Sequence, residues 1–109
     1  MTAATTATAA TLRHIVMFSF KEGTTPARID ALVAGLGALR QAIPQIAGYE
    51  WGTNVSPENM NDGFTHCFTL TFASAEDRDA YLVHPAHQAF VGTLGDCVQR
   101  ALVLDYWAQ

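Results

Sequence analysis

The stretch from Phe64 to Phe72 alternates without a break. Phe64, His66, Phe68, Leu70 and Phe72 fall on one side, and Thr65, Cys67, Thr69 and Thr71 fall on the other. A period of two marks a β-strand with one buried face. A strand this aromatic on one side must be covered, so the rest of the chain has to supply both neighbouring strands and a layer to pack against them. Leu12 to Lys21 has the same period: Leu12, His14, Val16, Phe18 and Phe20 point one way, and Arg13, Ile15, Met17, Ser19 and Lys21 the other. Tyr49 to Val55 and Val98 to Trp107 read as two further strands, with a polar loop from Ser56 to Gly63.

The covering layer is written in helical spacing. Thr25 caps a helix that has Pro26 at its first position, where proline's missing N–H does no harm. Ile29, Leu32, Val33, Leu36, Leu39 and Ile43 make one apolar stripe, and Pro44 stops the helix. Ser74 followed by Asp77 opens a second helix carrying Tyr81 and Leu82. His84-Pro85 interrupts it, because a residue before proline avoids the helical region. Pro85 then starts a short helix through Phe90 and Leu94, ended by Gly95-Asp96.

The order is βαββαβ with an extra helix before the last strand, which is the ferredoxin-like α+β arrangement. Right-handed crossovers lead to the expectation that the first and third strands lie side by side and parallel at the sheet centre. At 109 residues the chain suits one domain. Residues 1–10 are Ala/Thr-rich, without a basic or apolar leader pattern, and read as a flexible N-terminal tail before a domain over 11–109.

Charge narrows the partners. Six basic residues stand against ten acidic ones, Lys21 is the single lysine, and the arginines are scattered. This pattern argues against nucleic acid and against an anionic membrane surface. The apolar runs are strand-sized, so no transmembrane helix is expected. Cys67 and Cys97 lack metal-ligand spacing and read as reduced thiols of a cytoplasmic protein.

The helices can cover only one sheet face. The other carries Ile15, Met17, Thr65, Cys67, Thr69 and Thr71, which is apolar and weakly charged for a surface that meets water. This face is expected to pair with a second copy; the alternative is a monomer with a threonine-rich wet face.

With the first and third strands parallel, His14 and His66 would sit at one end of the sheet, and the second helix would return Tyr81, His84 and His87 to that end. A lone histidine on an apolar strand face is ordinarily a hydrogen-bonded core residue. Several titratable groups gathered in a cleft form a candidate site.

His14-Ile-Val-Met-Phe-Ser-Phe-Lys21, Trp51-Gly-Thr-Asn-Val55, Gly63-Phe-Thr-His66, Tyr81-Leu-Val-His-Pro-Ala-His87 and Asp105-Tyr106 together resemble the stress-responsive α/β-barrel (Dabb) family. The resemblance covers the chain from about residue 12 onward. It implies a ferredoxin-like subunit, a homodimeric α+β barrel, and a pocket between sheet and helices in each subunit. One family member is a polyketide cyclase that performs an aldol condensation and cyclisation. Its functional tyrosine and histidine fall on Tyr81 and His87, and two further pocket histidines fall on His14 and His66. Some members bind a divalent ion near the dimer interface, but no carboxylate cluster here demands one.

The leading function is therefore a cofactor-free cyclase or lyase acting by acid–base chemistry on a small carbonyl ligand. His87 would serve as base and Tyr81 as hydrogen-bond donor to the carbonyl oxygen. His14 and His66 would orient polar substrate groups, Phe20, Phe68, Val33 and Leu94 would line the apolar part, and His84 would be a supporting or turn residue. Two alternatives are a non-catalytic stress-associated binding dimer and a monooxygenase of the wider dimeric α+β-barrel group, cofactor-free or haem-linked. No phosphate loop, nucleophile elbow or metal motif is present. No bound metal is expected, and a zinc site of His14, His66 and His87 is the competing arrangement.

Overall fold

The computed structural model describes residues 10–109. The expected tail over residues 1–10 therefore lies outside the described residues apart from Ala10. Among the described residues, strands β1 (Leu12–Phe20), β2 (Gly48–Thr53), β3 (His66–Phe72) and β4 (Val98–Trp107) form one four-stranded sheet in the order β2-β3-β1-β4. Helix α1 (Pro26–Ala42) joins β1 to β2. Helices α2 (Ala75–Val83) and α3 (Pro85–Val91), followed by a 3-10 turn at Leu94–Asp96, join β3 to β4. This is the expected ferredoxin-like α+β fold.

Every neighbouring strand pair is antiparallel, which corrects the expected parallel pairing of β1 and β3. The cause lies in the connections. Helix α1 makes a crossover, so it sets β1 parallel to β2 and leaves room for one strand between them. The link from β2 to β3 contains no helix and turns back as a long hairpin, so β3 fills that gap running the opposite way. In the resulting register His14 faces Leu70 and His66 faces Phe18.

The local signals act as read. Thr25 accepts a hydrogen bond from the Arg28 backbone N–H, and Ser74 accepts one from that of Asp77. The α1 stripe buries Leu32, Leu36 and Leu39, with Ile43 just beyond, against Leu12, Val16, Phe18, Phe68, Leu70, Phe72 and Tyr81. Truncating a leucine in such a core costs about 2–5 kcal/mol.

Two boundaries differ from the sequence reading. β3 begins at His66 rather than Phe64, because Asp62 and Gly63 take positive φ (51° and 82°) and turn the chain. Phe64 thereby leaves the helix-facing set, and its ring lies under the Arg100 guanidinium at 4.6 Å. Helix α3 ends at Val91 rather than near Leu94: the Gly92 N–H closes on the Gln88 carbonyl, and the Thr93 backbone and hydroxyl both bond the Phe90 carbonyl.

No helix among the described residues is long and apolar enough to cross a membrane. Both cysteines are free thiols.

Candidate functional site

Tyr81 is the centre of the site. Helix α2 starts just past β3, at the end of the sheet where Leu12 pairs with Phe72. Two turns beyond its Ser74 cap, α2 lowers Tyr81 onto that end, where the residue is 1% exposed. Three rings surround the phenol. His87 lies 4.4 Å away between ring centroids, Phe72 5.3 Å and His14 5.7 Å. His87 reaches Tyr81 because His84-Pro85 ends α2 and restarts the chain as α3. His84 is the hinge of that turn: its ring Nδ1 accepts from the Ala86 backbone N–H at 3.0 Å, so it caps α3.

Each imidazole beside Tyr81 is tethered through Nδ1. The Nδ1 of His87 lies 3.0 Å from the Leu82 carbonyl oxygen. A carbonyl can only accept, so Nδ1 carries the proton and Nε2 keeps its lone pair. The Nδ1 of His14 lies 2.7 Å from Asp105 Oδ1, which likewise makes Nδ1 the donor to an ionised carboxylate. β4 sets Asp105 directly opposite His14 in the sheet register. The other oxygen of Asp105 accepts from the Arg78 guanidinium at 2.6 Å, and Arg78 also donates to Asp79 at 2.8 Å.

Burial governs the charge states. It pushes the Tyr81 phenol well above the ordinary tyrosine value, with the Tyr49 phenol adding to the effect. It also pushes the His87 imidazole down; the Leu82 carbonyl opposes this shift, and repulsion from a protonated His14 would add to it. At neutral pH the pair is therefore a protonated phenol beside an unprotonated imidazole nitrogen, a donor next to an acceptor.

The antiparallel pairing separates His66 from this group. It sits opposite Phe18, four residues along β1 from His14, or about 13 Å at the usual strand rise. His66 belongs to an aromatic cluster of its own. Trp51 stacks on it with 5° between the planes, Phe20 meets it edge-on at 5.2 Å, and Trp51 also stacks on fully buried Phe68. Burial lowers the His66 imidazole, partly offset by Asp30. The competing zinc arrangement of His14, His66 and His87 is excluded by the same separation. Among the described residues no group of three His, Cys, Asp or Glu side chains is placed to hold a metal ion. Val33 and Leu94 pack at the border of the core.

Two open grooves lie away from Tyr81. One, of about 520 Å³, runs over the uncovered sheet face past Met17, Cys67, Leu102 and Phe64 and touches His66 at its edge. The other, of about 530 Å³, lies between α1 and α3 beside Leu32, Gly35 and Phe90.

Sequence reasoning missed Arg78 altogether and met Asp105 only as part of the Asp105-Tyr106 match. One signal was present: Asp105 is the single charge within the otherwise apolar run from Ala101 to Trp107. Its partner could not be read without the β1–β4 register.

A model of the Stress responsive A/B Barrel Domain matches residues 12–108. The chain is 37% identical over 95 residues to the stress-response A/B barrel domain-containing protein HS1 of Arabidopsis thaliana, covering 87% of each. It is 30% identical over 95 residues to olivetolic acid cyclase of Cannabis sativa, covering 87% of this chain and 94% of that one. Among solved structures, hydroxynitrile lyase from Passiflora edulis superposes with a TM-score of 0.87 at 29% identity, over 94% of this chain and 96% of that one. Several other solved neighbours, at 20–29% identity, are described as dimeric proteins of ferredoxin-like fold.

Proposed function

The chain belongs to the stress-responsive A/B barrel domain family, and we propose that it is a homodimeric member with a small-molecule site in each subunit, acting as a cofactor-free cyclase or lyase on a carbonyl compound. The observation that carries this reading is the position of Tyr81 between two imidazoles that are each tethered through Nδ1. The Nε2 of His87 takes a proton from the carbon next to a substrate carbonyl, or from a hydroxyl beside the bond that breaks. Tyr81 donates its O–H to the oxygen as negative charge builds there, and its raised pKa keeps the proton available. His14 orients the polar head of the substrate. His66, about 13 Å from His14 along the strand and grouped with Phe20 and Phe68, receives the far end, which suits an elongated substrate. Similarity to a cyclase and to a hydroxynitrile lyase supports chemistry of this class.

The dimer forms through the uncovered sheet face. β4 adds Leu102, Leu104 and Tyr106 to that face, each at least 39% exposed, beside Ile15 and Met17. Val103 and Trp107, also exposed, leave this edge strand apolar on both sides. Such an edge is ordinarily paired or covered. A neighbour at 29% identity described as dimeric supports the same assembly.

A specific observation favours a second reading. Tyr81 is almost wholly buried, as a packing residue would be, and this fits a non-catalytic, stress-associated binding dimer. Turnover of a panel of hydroxynitriles and linear poly-β-ketones separates the two. The enzyme reading expects at least one substrate to turn over and the activity to fall in Tyr81→Phe. Binding without turnover across the panel supports the second reading.

A further inference from the structure

Among the described residues Asp105 is the one carboxylate hydrogen-bonded to His14, and both of its oxygens are taken. Oδ1 accepts from His14 Nδ1 at 2.7 Å and Oδ2 from Arg78 at 2.6 Å. A buried imidazole beside a lone carboxylate is drawn to its charged form, because the ion pair stabilises the added proton. Arginine stays charged at any working pH. The cation of Arg78 therefore offsets the anion that would otherwise charge His14.

We propose that Arg78 is a positioning residue that keeps His14 neutral, with its proton on Nδ1 and its Nε2 open as an acceptor, by neutralising Asp105 from the opposite side.

The groups that face His14 leave this role to Arg78. β4 contributes Asp105, β3 contributes the apolar ring of Phe72, α2 contributes the phenol of Tyr81, and α3 contributes His87. Of these only Asp105 is anionic. Asp79, the second partner of Arg78, has a side chain 66% exposed and is screened by water, whereas those of Asp105 and His14 are 22% and 5% exposed. The balance inside the site is thus between Arg78 and Asp105. It extends to His87, whose imidazole is made harder to protonate by charge on His14. A charged His14 would weaken His87 as a base and would occupy its own acceptor. The catalytic consequence rests on the proposed acid–base function; the state of His14 does not, and is measured without a substrate.

The test is the ¹⁵N spectrum of histidine-labelled protein at pH 7. In the wild type, His14 is expected to show a protonated Nδ1 and an unprotonated Nε2. Arg78→Met should raise its imidazolium fraction several-fold, Arg78→Lys should restore the wild-type pattern, and the double variant Arg78→Met, Asp105→Asn should return it to neutral by removing the anion as well. Arg78→Gln, which keeps an amide donor but no charge, should behave like Arg78→Met and keeps the test available if that variant does not fold. The proposal is overturned if His14 is already an imidazolium in the wild type, if its proton sits on Nε2, or if both uncharged variants leave its spectrum unchanged. Loss of the enzyme reading would appear separately, as absence of turnover with these spectra intact.

Discussion

The rings of Tyr81 and His87 lie 4.4 Å apart between centroids and inclined at 43°, brought together by a turn of chain only five residues long, Leu82 to Ala86. The turn depends on Pro85 to end one helix and begin the next, and on His84 to cap the second. Burial at this junction sets the phenol and the imidazole to opposite tasks, one raised and one lowered.

The Tyr81 phenol is expected to stay protonated while the fold persists. Ultraviolet difference spectra of wild type against Tyr81→Phe should show no phenolate band through about pH 10, the ordinary tyrosine value. A band growing in below that pH would place Tyr81 in water rather than in the core.

Stability should fall on mild acidification. His66 and His87 are both lowered by burial, so between the folded and unfolded values the unfolded chain binds protons that the folded chain does not. Their contribution is complete above the unfolded value of about 6.5 and declines as pH falls from there towards the folded values. Urea unfolding at pH 7.5 and pH 5.5 should give the lower midpoint at pH 5.5. His66→Gln and His87→Gln should each narrow that gap.

The uncovered face should fail as an interface when charged. Met17→Lys or Thr69→Glu places an unpaired charge where two copies meet, as does Leu104→Glu. Each variant should sediment as a monomer, or unfold, at concentrations where the wild type is a dimer. A wild type that sediments as a monomer at micromolar concentration contradicts the assembly.

Periodicity in the sequence identified the strands because an alternating face is a property of neighbouring residues. Leu12, Val16, Phe68, Leu70 and Phe72 all point into the core as read. Direction is not such a property. Whether β3 runs with or against β1 follows from the connections, and misjudging it put His66 at the wrong end of the sheet while leaving His14, Tyr81 and His87 together. Phe64 was misplaced for a local reason, since the alternation continues through a turn that Asp62 and Gly63 impose. The Arg78–Asp105–His14 chain was hidden for a non-local one. It depends on the β1–β4 register and on the pitch of α2, which no short motif encodes.

Proton exchange next to a carbonyl tests the proposed acid–base site most directly, because it needs no knowledge of the natural substrate. In D₂O at pD near neutral, a panel of aryl and alkyl β-dicarbonyl compounds would be followed by proton NMR with and without protein. The wild type is expected to accelerate exchange of at least one compound. Tyr81→Phe should slow that exchange by about 10²–10³-fold, as loss of one oxyanion donor does, and His87→Ala by about 10²–10⁴-fold, both with the fold retained by circular dichroism. Exchange at the wild-type rate in the Tyr81→Phe, His87→Ala double variant, or no acceleration by the wild type of any compound it binds, would contradict the account.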